Sequence, residues 1–236
     1  MQKLPTALLA LLSLLTLVRG ADDAPARPLP KPGSLIVADD FERDQLSPWR
    51  QVCQTFTIAD GVMKGSQTRD DHGAVGSIKA AFQDGVIEFK FRFEGATSIN
   101  AVWDDKDWRG THAGHICRVA ITPKQIRLGD DKEGVMRNDI FEMRKDPARK
   151  AEADKLLVGR GQAIATKIEP QRWYRMRVEI VGDEMRVSLD DKPVGYLKSP
   201  GLAHPTKSDF HFTVSGKDAL FDDVRIWSAE PVSPKP

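Results

Sequence analysis

Gly85-Val86-Ile87-Glu88-Phe89-Lys90-Phe91-Arg92-Phe93-Glu94 is the stretch on which the fold class turns. Its period is two. Ile87, Phe89, Phe91 and Phe93 share one face, and Glu88, Lys90, Arg92 and Glu94 share the other. Side chains of a strand point alternately to opposite faces, so this is a strand with one wet and one buried side. Working outward, 173–181 repeats the pattern with Tyr174, Met176, Val178 and Ile180 inward. Residues 184–190 follow, with Met185, Val187 and Leu189 inward. Gly182-Asp183 separates the two runs and predicts a tight hairpin. Further strands are expected at 35–38, 50–58, 61–65, 74–80, 99–104, 115–121, 125–129, 193–197, 209–215 and 220–227. About a dozen short strands with one core face each do not fit one open sheet. The expectation is an all-β, two-sheet antiparallel sandwich of the jelly-roll kind over 35–230.

One segment departs from the strand period. Asp146 stands as an N-cap before Pro147, and Gly159 follows Leu157 and Val158, which frames one short helix near 146–158. It lies in an insertion, 130–162, read as a lid or wall of a site.

The ends carry other signals. Residues 1–20 combine Lys3, an apolar run from Leu4 to Val18 and a small-residue exit at Gly20, the pattern of a secretory signal peptide. The run has about 15 residues, short of the roughly 20 that span a bilayer. Export to the periplasm, cell surface or medium is therefore expected, with no membrane span after cleavage. Residues 21–34, rich in proline, read as a semi-rigid tether, and 231–236 as a flexible tail. Lys+Arg 35 against Asp+Glu 34 leaves a net charge of +1, too little to hold a phosphate backbone, so nucleic acid is not an expected partner. Cys53 and Cys117 fall on opposite sides of their strands; a bridge between them is left open.

The stretch Leu35-Ile36-Val37-Ala38-Asp39-Asp40-Phe41, with Trp49 and Phe56-Thr57-Ile58-Ala59-Asp60-Gly61-Val62 after it, resembles the opening of concanavalin A-like jelly rolls. Ala219-Leu220-Phe221-Asp222-Asp223-Val224-Arg225-Ile226-Trp227 resembles their closing strand. Within that group the chain looks like the exported 3-keto-disaccharide hydrolase-like and family-sixteen-glycoside-hydrolase-like proteins. The resemblance implies the fold and a carbohydrate partner. It does not carry over the catalytic Glu-x-Asp-x-x-Glu run, because Glu152-Ala153-Asp154-Lys155-Leu156-Leu157 lacks the last carboxylate.

The densest polar and aromatic stretch is 103–115. A sugar has apolar C–H faces and a polar hydroxyl rim, so tryptophans suit the faces, and charged or amide groups the rim. Trp103, Trp108, Arg109, His115, Arg118 and His211 are the candidate ligand contacts. Glycoside hydrolysis usually needs two carboxyl groups, and proton removal beside a keto sugar suits an imidazole. Asp104, Asp107, His112 and Glu142 are the candidates for these roles, with Asp105 and Asp139 as further carboxylates. Asp40, Asp222 and Asp223, on the first and last strands beside Asp39, are the candidate ligands of a structural calcium. His112 and His115 have zinc-like spacing without an evident third ligand, and no cofactor is required by the sequence. The expectation is a monomeric, exported, carbohydrate-engaging module, with binding and weak hydrolysis both open. Its rivals are a 3-keto-glycoside hydrolase or lyase, and a non-catalytic surface module for protein contact.

Overall fold

Two strands belong to both layers of the molecule. The computed structural model describes residues 24–231, so the signal-peptide reading and, beyond Pro231, the tail read at 231–236 lie outside the described residues. β6 (Gly85–Asp104) and β13 (Lys207–Pro231) pair antiparallel from Gly85↔Ser228 to Asp104↔Asp209. The sequence reads each as two strands. The structure joins them through bends, with the register slipping between Ser215 and Gly216 and again at Asp218. Gly95 has φ 95° and Gly216 φ 94°, a conformation that costs other residues heavily. A Cβ on Gly216 would lie 2.6 Å from the backbone nitrogen of Thr97. The bends let one strand pair leave one sheet and enter the other.

The first layer uses the 99–104 and 209–215 halves. Beyond β6 it adds β7 (His115–Thr122), β8 (Gln125–Asp130) and β9 (Gly161–Ala165); beyond β13 it adds β5 (Ala74–Phe82) and β2 (Arg50–Cys53). The second layer uses the other halves. β10 (Tyr174–Val181), β11 (Glu184–Leu189) and β12 (Lys192–Lys198) extend it past β6; β1 (Pro30–Asp39) and the hairpin of β3 (Thr55–Ala59) and β4 (Val62–Ser66) extend it past β13. This is the expected sandwich. β10 and β11 meet across Gly182-Asp183 as read, with Val181 opposite Glu184.

The core fills the space between the layers. Phe212 of the first layer stacks on Phe221 of the second at 4.0 Å and meets Phe89 edge-on at 5.0 Å. Trp49 stacks on Phe212 at 5.7 Å. Trp49 is held in turn by Asp39, which accepts from its indole Nε1 at 2.8 Å, from the Phe41 amide at 3.0 Å and from two Arg43 nitrogens. Burial works to raise the Asp39 carboxyl, but these donors hold it below the usual carboxylate range.

Three readings need adjusting. The strand β1 starts at Pro30, inside the stretch read as a tether; Lys31 lies opposite Glu230, and Arg186 donates to the Pro25 carbonyl. The expected helix forms as a 3-10 turn at Pro147–Arg149 and α2 (Lys150–Leu156), with Asp146 accepting from the Ala148 amide at 2.9 Å. A second helix, α1 (Asn138–Met143), precedes it and is too short to show a period of 3.6. Among the described residues no helix is long and apolar enough to cross a membrane.

Phe212→Ala should cost about 3–5 kcal/mol, read by urea unfolding, because the ring sits between both layers. Asp39→Asn should cost about 2 kcal/mol at pH 7. The ionised Asp39 is favoured by folding, so its contribution is full above the ordinary carboxylate range and fades as pH falls through it. The gap between wild type and Asp39→Asn should therefore close in acid, and a gap independent of pH would contradict this assignment.

Candidate functional site

The register of the first layer sets two rows of side chains on its outer face. One row runs Lys79, Asp209, Asp104, His115 across β5, β13, β6 and β7. The next runs Arg50, Ser77, His211, Val102, Arg118 across β2, β5, β13, β6 and β7. Neighbours across antiparallel strands stand about 5 Å apart, so the rows form one polar strip. His115 reaches it through a bulge. Trp103 faces Cys117 but Asp104 faces His115, which leaves Ile116 as the extra residue. The bulge turns His115 away from the core face of Cys117, where strict alternation places it, and onto the face of Asp104.

Asp104 is fully buried and lies at the centre. His115 Nδ1 donates to its Oδ1 at 2.6 Å, His211 Nδ1 lies 3.0 Å from its Oδ2, and Lys106 Nζ bonds the same Oδ2. An ionised carboxylate only accepts, so each imidazole presents Nδ1–H to Asp104 and turns Nε2 elsewhere. Burial works to raise the Asp104 carboxyl; the His115 and His211 contacts overcome it and hold the group far below the usual range. Burial pushes the His211 imidazole down, against the pull of Asp104. Burial also lowers His112, with the nearby His115 adding to it. Thus Asp104 is an anion that orients two imidazoles, not a proton donor.

The surroundings are built by the insertion and the 105–114 loop. Arg118 Nε donates to Asp131 Oδ2 at 2.6 Å. Asp131 is fully buried; burial raises its carboxyl against Arg118, and its Oδ1 and the Arg118 Nη2 have no partner. The insertion is tied down by the Thr111↔Arg137 bridge, by Asn138 donating to the Arg109 carbonyl, and by Phe141 stacking on His112 at 4.2 Å. It is a wall beside the strip. On the other side an open depression of about 520 Å³ is lined by Arg50, Lys79, Lys106, Asp107 and Asp209 among others. Asp105 pairs with His204 at 2.9 Å, and His204 lies 5.1 Å from the Trp108 ring, which fixes the base of the loop.

Of the residues singled out from sequence, Asp104, His115, Arg118 and His211 come together. His211 is buried beneath the outer face, so it meets Asp104 and not solvent. Trp103 does not belong to the site: its alternation with Ile99 and Ala101 drives it into the core against Phe210 at 5.4 Å. Trp108 is only partly exposed, with Lys132 5.1 Å above its ring, so no coplanar tryptophan pair faces outward. Asp107 and Arg109 are exposed at the rim, and Arg109 donates to the Lys106 carbonyl. Glu142 is exposed and paired with Lys145, and Asp139 is paired with Arg137. Both carboxylates are thus engaged by cations of the insertion, and the carboxylate that the register sets opposite Asp104 is Asp209, which is buried and paired with Arg50.

The calcium set is not brought together either. Asp39 is filled by Arg43, Phe41 and Trp49, and Lys90 neutralises Asp222 and Asp223. Asp40 accepts from the amide of Glu42. Among the described residues, the group of histidine, cysteine and carboxylate atoms close enough to share an ion is Asp104, His115 and His211. Cys53 is partly buried and Cys117 buried, and both are free thiols. Sequence reasoning missed Lys106, Asp131, Arg50 and Phe141. Only the alternation of 74–80 and 50–58 hints at Arg50, and nothing local marks the others.

No known family model matches the chain, and no curated protein matches it. Solved structures do. The carbohydrate-binding module CBM66 from Bacillus subtilis is 18% identical, with 76% of this chain and 95% of that one covered and a TM-score of 0.51. The apo Crh5 transglycosylase is 12% identical, covering 90% and 91%, with a TM-score of 0.59. SCLam, a non-specific endo-beta-1,3(4)-glucanase from family GH16, is 12% identical, covering 89% and 98%, with a TM-score of 0.54. These likenesses show the fold, a concanavalin A-like jelly roll.

Asp104→Asn should lower stability by about 3 kcal/mol at pH 7, since it strips charge from a buried hydrogen-bonded centre. Glu142→Gln, on an exposed pair, should leave stability unchanged. Urea unfolding checks both; a loss under about 0.5 kcal/mol for Asp104→Asn would show that the carboxylate does not organise the strip.

Proposed function

We propose that the chain is an exported, monomeric module that binds carbohydrate along the polar strip of its first layer. The observation that carries this is the strip itself: Arg50, Lys79, His115 and Arg118 reach the surface from adjoining strands, with the buried Asp104 and Asp209 holding His115 and Arg50, beside an open depression. A polyhydroxylated ligand needs many donors and acceptors held on a rigid frame. Neighbouring structures of the same fold include a carbohydrate-binding module and a glucanase, which supports the choice of ligand class. Binding is favoured over two-carboxylate hydrolysis because Asp104 is saturated by its donors and Glu142 stands on the exposed side of α1, paired with Lys145.

One observation favours a second reading. The side chain of His115 is 16% exposed with Nδ1 held by Asp104, which leaves Nε2 as the proton acceptor. That arrangement suits a base acting beside the carbonyl of a 3-keto sugar.

The test is a panel of glucans, plant polysaccharides, disaccharides and 3-keto-disaccharides. Binding is read by calorimetry and products by mass spectrometry. A glucan or plant polysaccharide should bind without release of sugar, and Arg118→Ala and Arg50→Ala should each weaken binding about tenfold, near 1.4 kcal/mol. Release of products that His115→Ala abolishes would establish the second reading. No binding and no release across the panel would sink both.

A further inference from the structure

Asp104, His115 and His211 do more than hydrogen-bond. Each offers one ligand atom, and the three atoms lie within 4.8 Å of one another. The Asp104 oxygens stand 2.6 Å from His115 Nδ1 and 3.0 Å from His211 Nδ1. Adjacent ligands of an ion with bonds of about 2.0–2.2 Å are separated by roughly 3 Å. The Asp104–imidazole spacings are hydrogen-bond distances with a proton on each Nδ1; an ion would take the place of these protons, each neutral imidazole then carrying its N–H on Nε2, and the donor atoms are already near enough to share it. The three residues come from three adjacent strands, β6, β7 and β13, whose register fixes them without help from a loop. Asp104 is fully buried and His211 nearly so, while His115 opens to the outer face. An ion would enter from that side and keep a free position there.

We propose that Asp104, His115 and His211 bind one divalent first-row transition-metal ion. The donor set is two imidazole nitrogens and one carboxylate. Nitrogen donors suit zinc, cobalt, nickel or iron and disfavour calcium and magnesium, which take oxygen shells. Lys106 holds the position of the positive charge in the absence of an ion. Its ammonium bonds Asp104 Oδ2, yet its side chain is 47% exposed and sits on the 105–107 turn, so it can leave. The site is one pole of the strip described above, but the inference does not rest on carbohydrate binding.

The test uses the whole secreted chain, stripped with chelator and titrated with zinc chloride by calorimetry, then with cobalt chloride by visible absorption, no sugar present. One zinc per chain should bind, and cobalt should give the d–d bands of a nitrogen–oxygen site. His115→Ala and His211→Ala should each weaken zinc binding beyond the roughly 10–100-fold that follows when a residue merely hydrogen-bonded to a ligand is lost. Should either variant fail to fold, Lys106→Ala keeps all three ligands, and it should bind zinc several-fold tighter because it removes a competing cation. His112→Ala should bind zinc as wild type does. Absence of stoichiometric zinc binding by wild type overturns the proposal, as does zinc binding that Lys106→Ala weakens or calcium binding of equal strength. Failure here would leave the carbohydrate reading standing, since the glycan panel repeated on chelator-stripped protein tests that reading without any ion.

Discussion

Pairing between β6 and β13 is the constraint on which the rest depends. Both strands cross from one layer to the other, so their register aligns the two sheets at once. The bends at Gly95 and Gly216 make the crossing sterically permissible. The same register puts Phe89, Phe212 and Phe221 into a single aromatic cluster and sets Asp104 beside His211 on the opposite face. Core and candidate site are thus two sides of one strand pair.

Much of the fold was legible in the residues. The alternation at 85–94 and 173–190 names the inward side chains correctly because the opposite face of each strand is polar, although on β10 and β11 the polar Glu179, Arg186 and Ser188 are themselves buried and bonded to one another. The joining of 85–94 to 99–104, and of 209–215 to 220–227, was not legible. A bend at a glycine looks like a turn when only local sequence is read. β1 began earlier than its apolar pattern because the backbone of Pro30–Pro32 pairs with β13 while Lys31 and Pro32 stay exposed, which leaves no apolar alternation to read. α1 is held by Ile140 and Met143 packing on Ala153, a contact between distant positions that no short-range period reveals.

The site was legible in part. Asp209 and His211 share a polar face by simple alternation, and Arg118 follows likewise. His115 lands on that face only through the bulge at Ile116, which inverts the parity of a single residue. Trp103 attracts attention as an aromatic beside carboxylates, but its parity with Ile99 and Ala101 sends it to the core. Asp131 and Lys106 enter through the loop path, so their partners Arg118 and Asp104 could not be read from spacing. The result is a strip rich in charge and poor in exposed aromatic surface. A ligand held there is held by hydrogen bonds on a preorganised frame more than by stacking.

The most direct measurement is backbone and imidazole NMR of the chain titrated with a soluble β-glucan oligosaccharide. The account predicts shifts concentrated at Arg50, Ser77, Asp104, His115, Arg118 and His211, with the edge strands β3 and β12 undisturbed. Shifts confined to the second layer, or none at saturating sugar, would contradict the assignment of the strip as a carbohydrate-binding face.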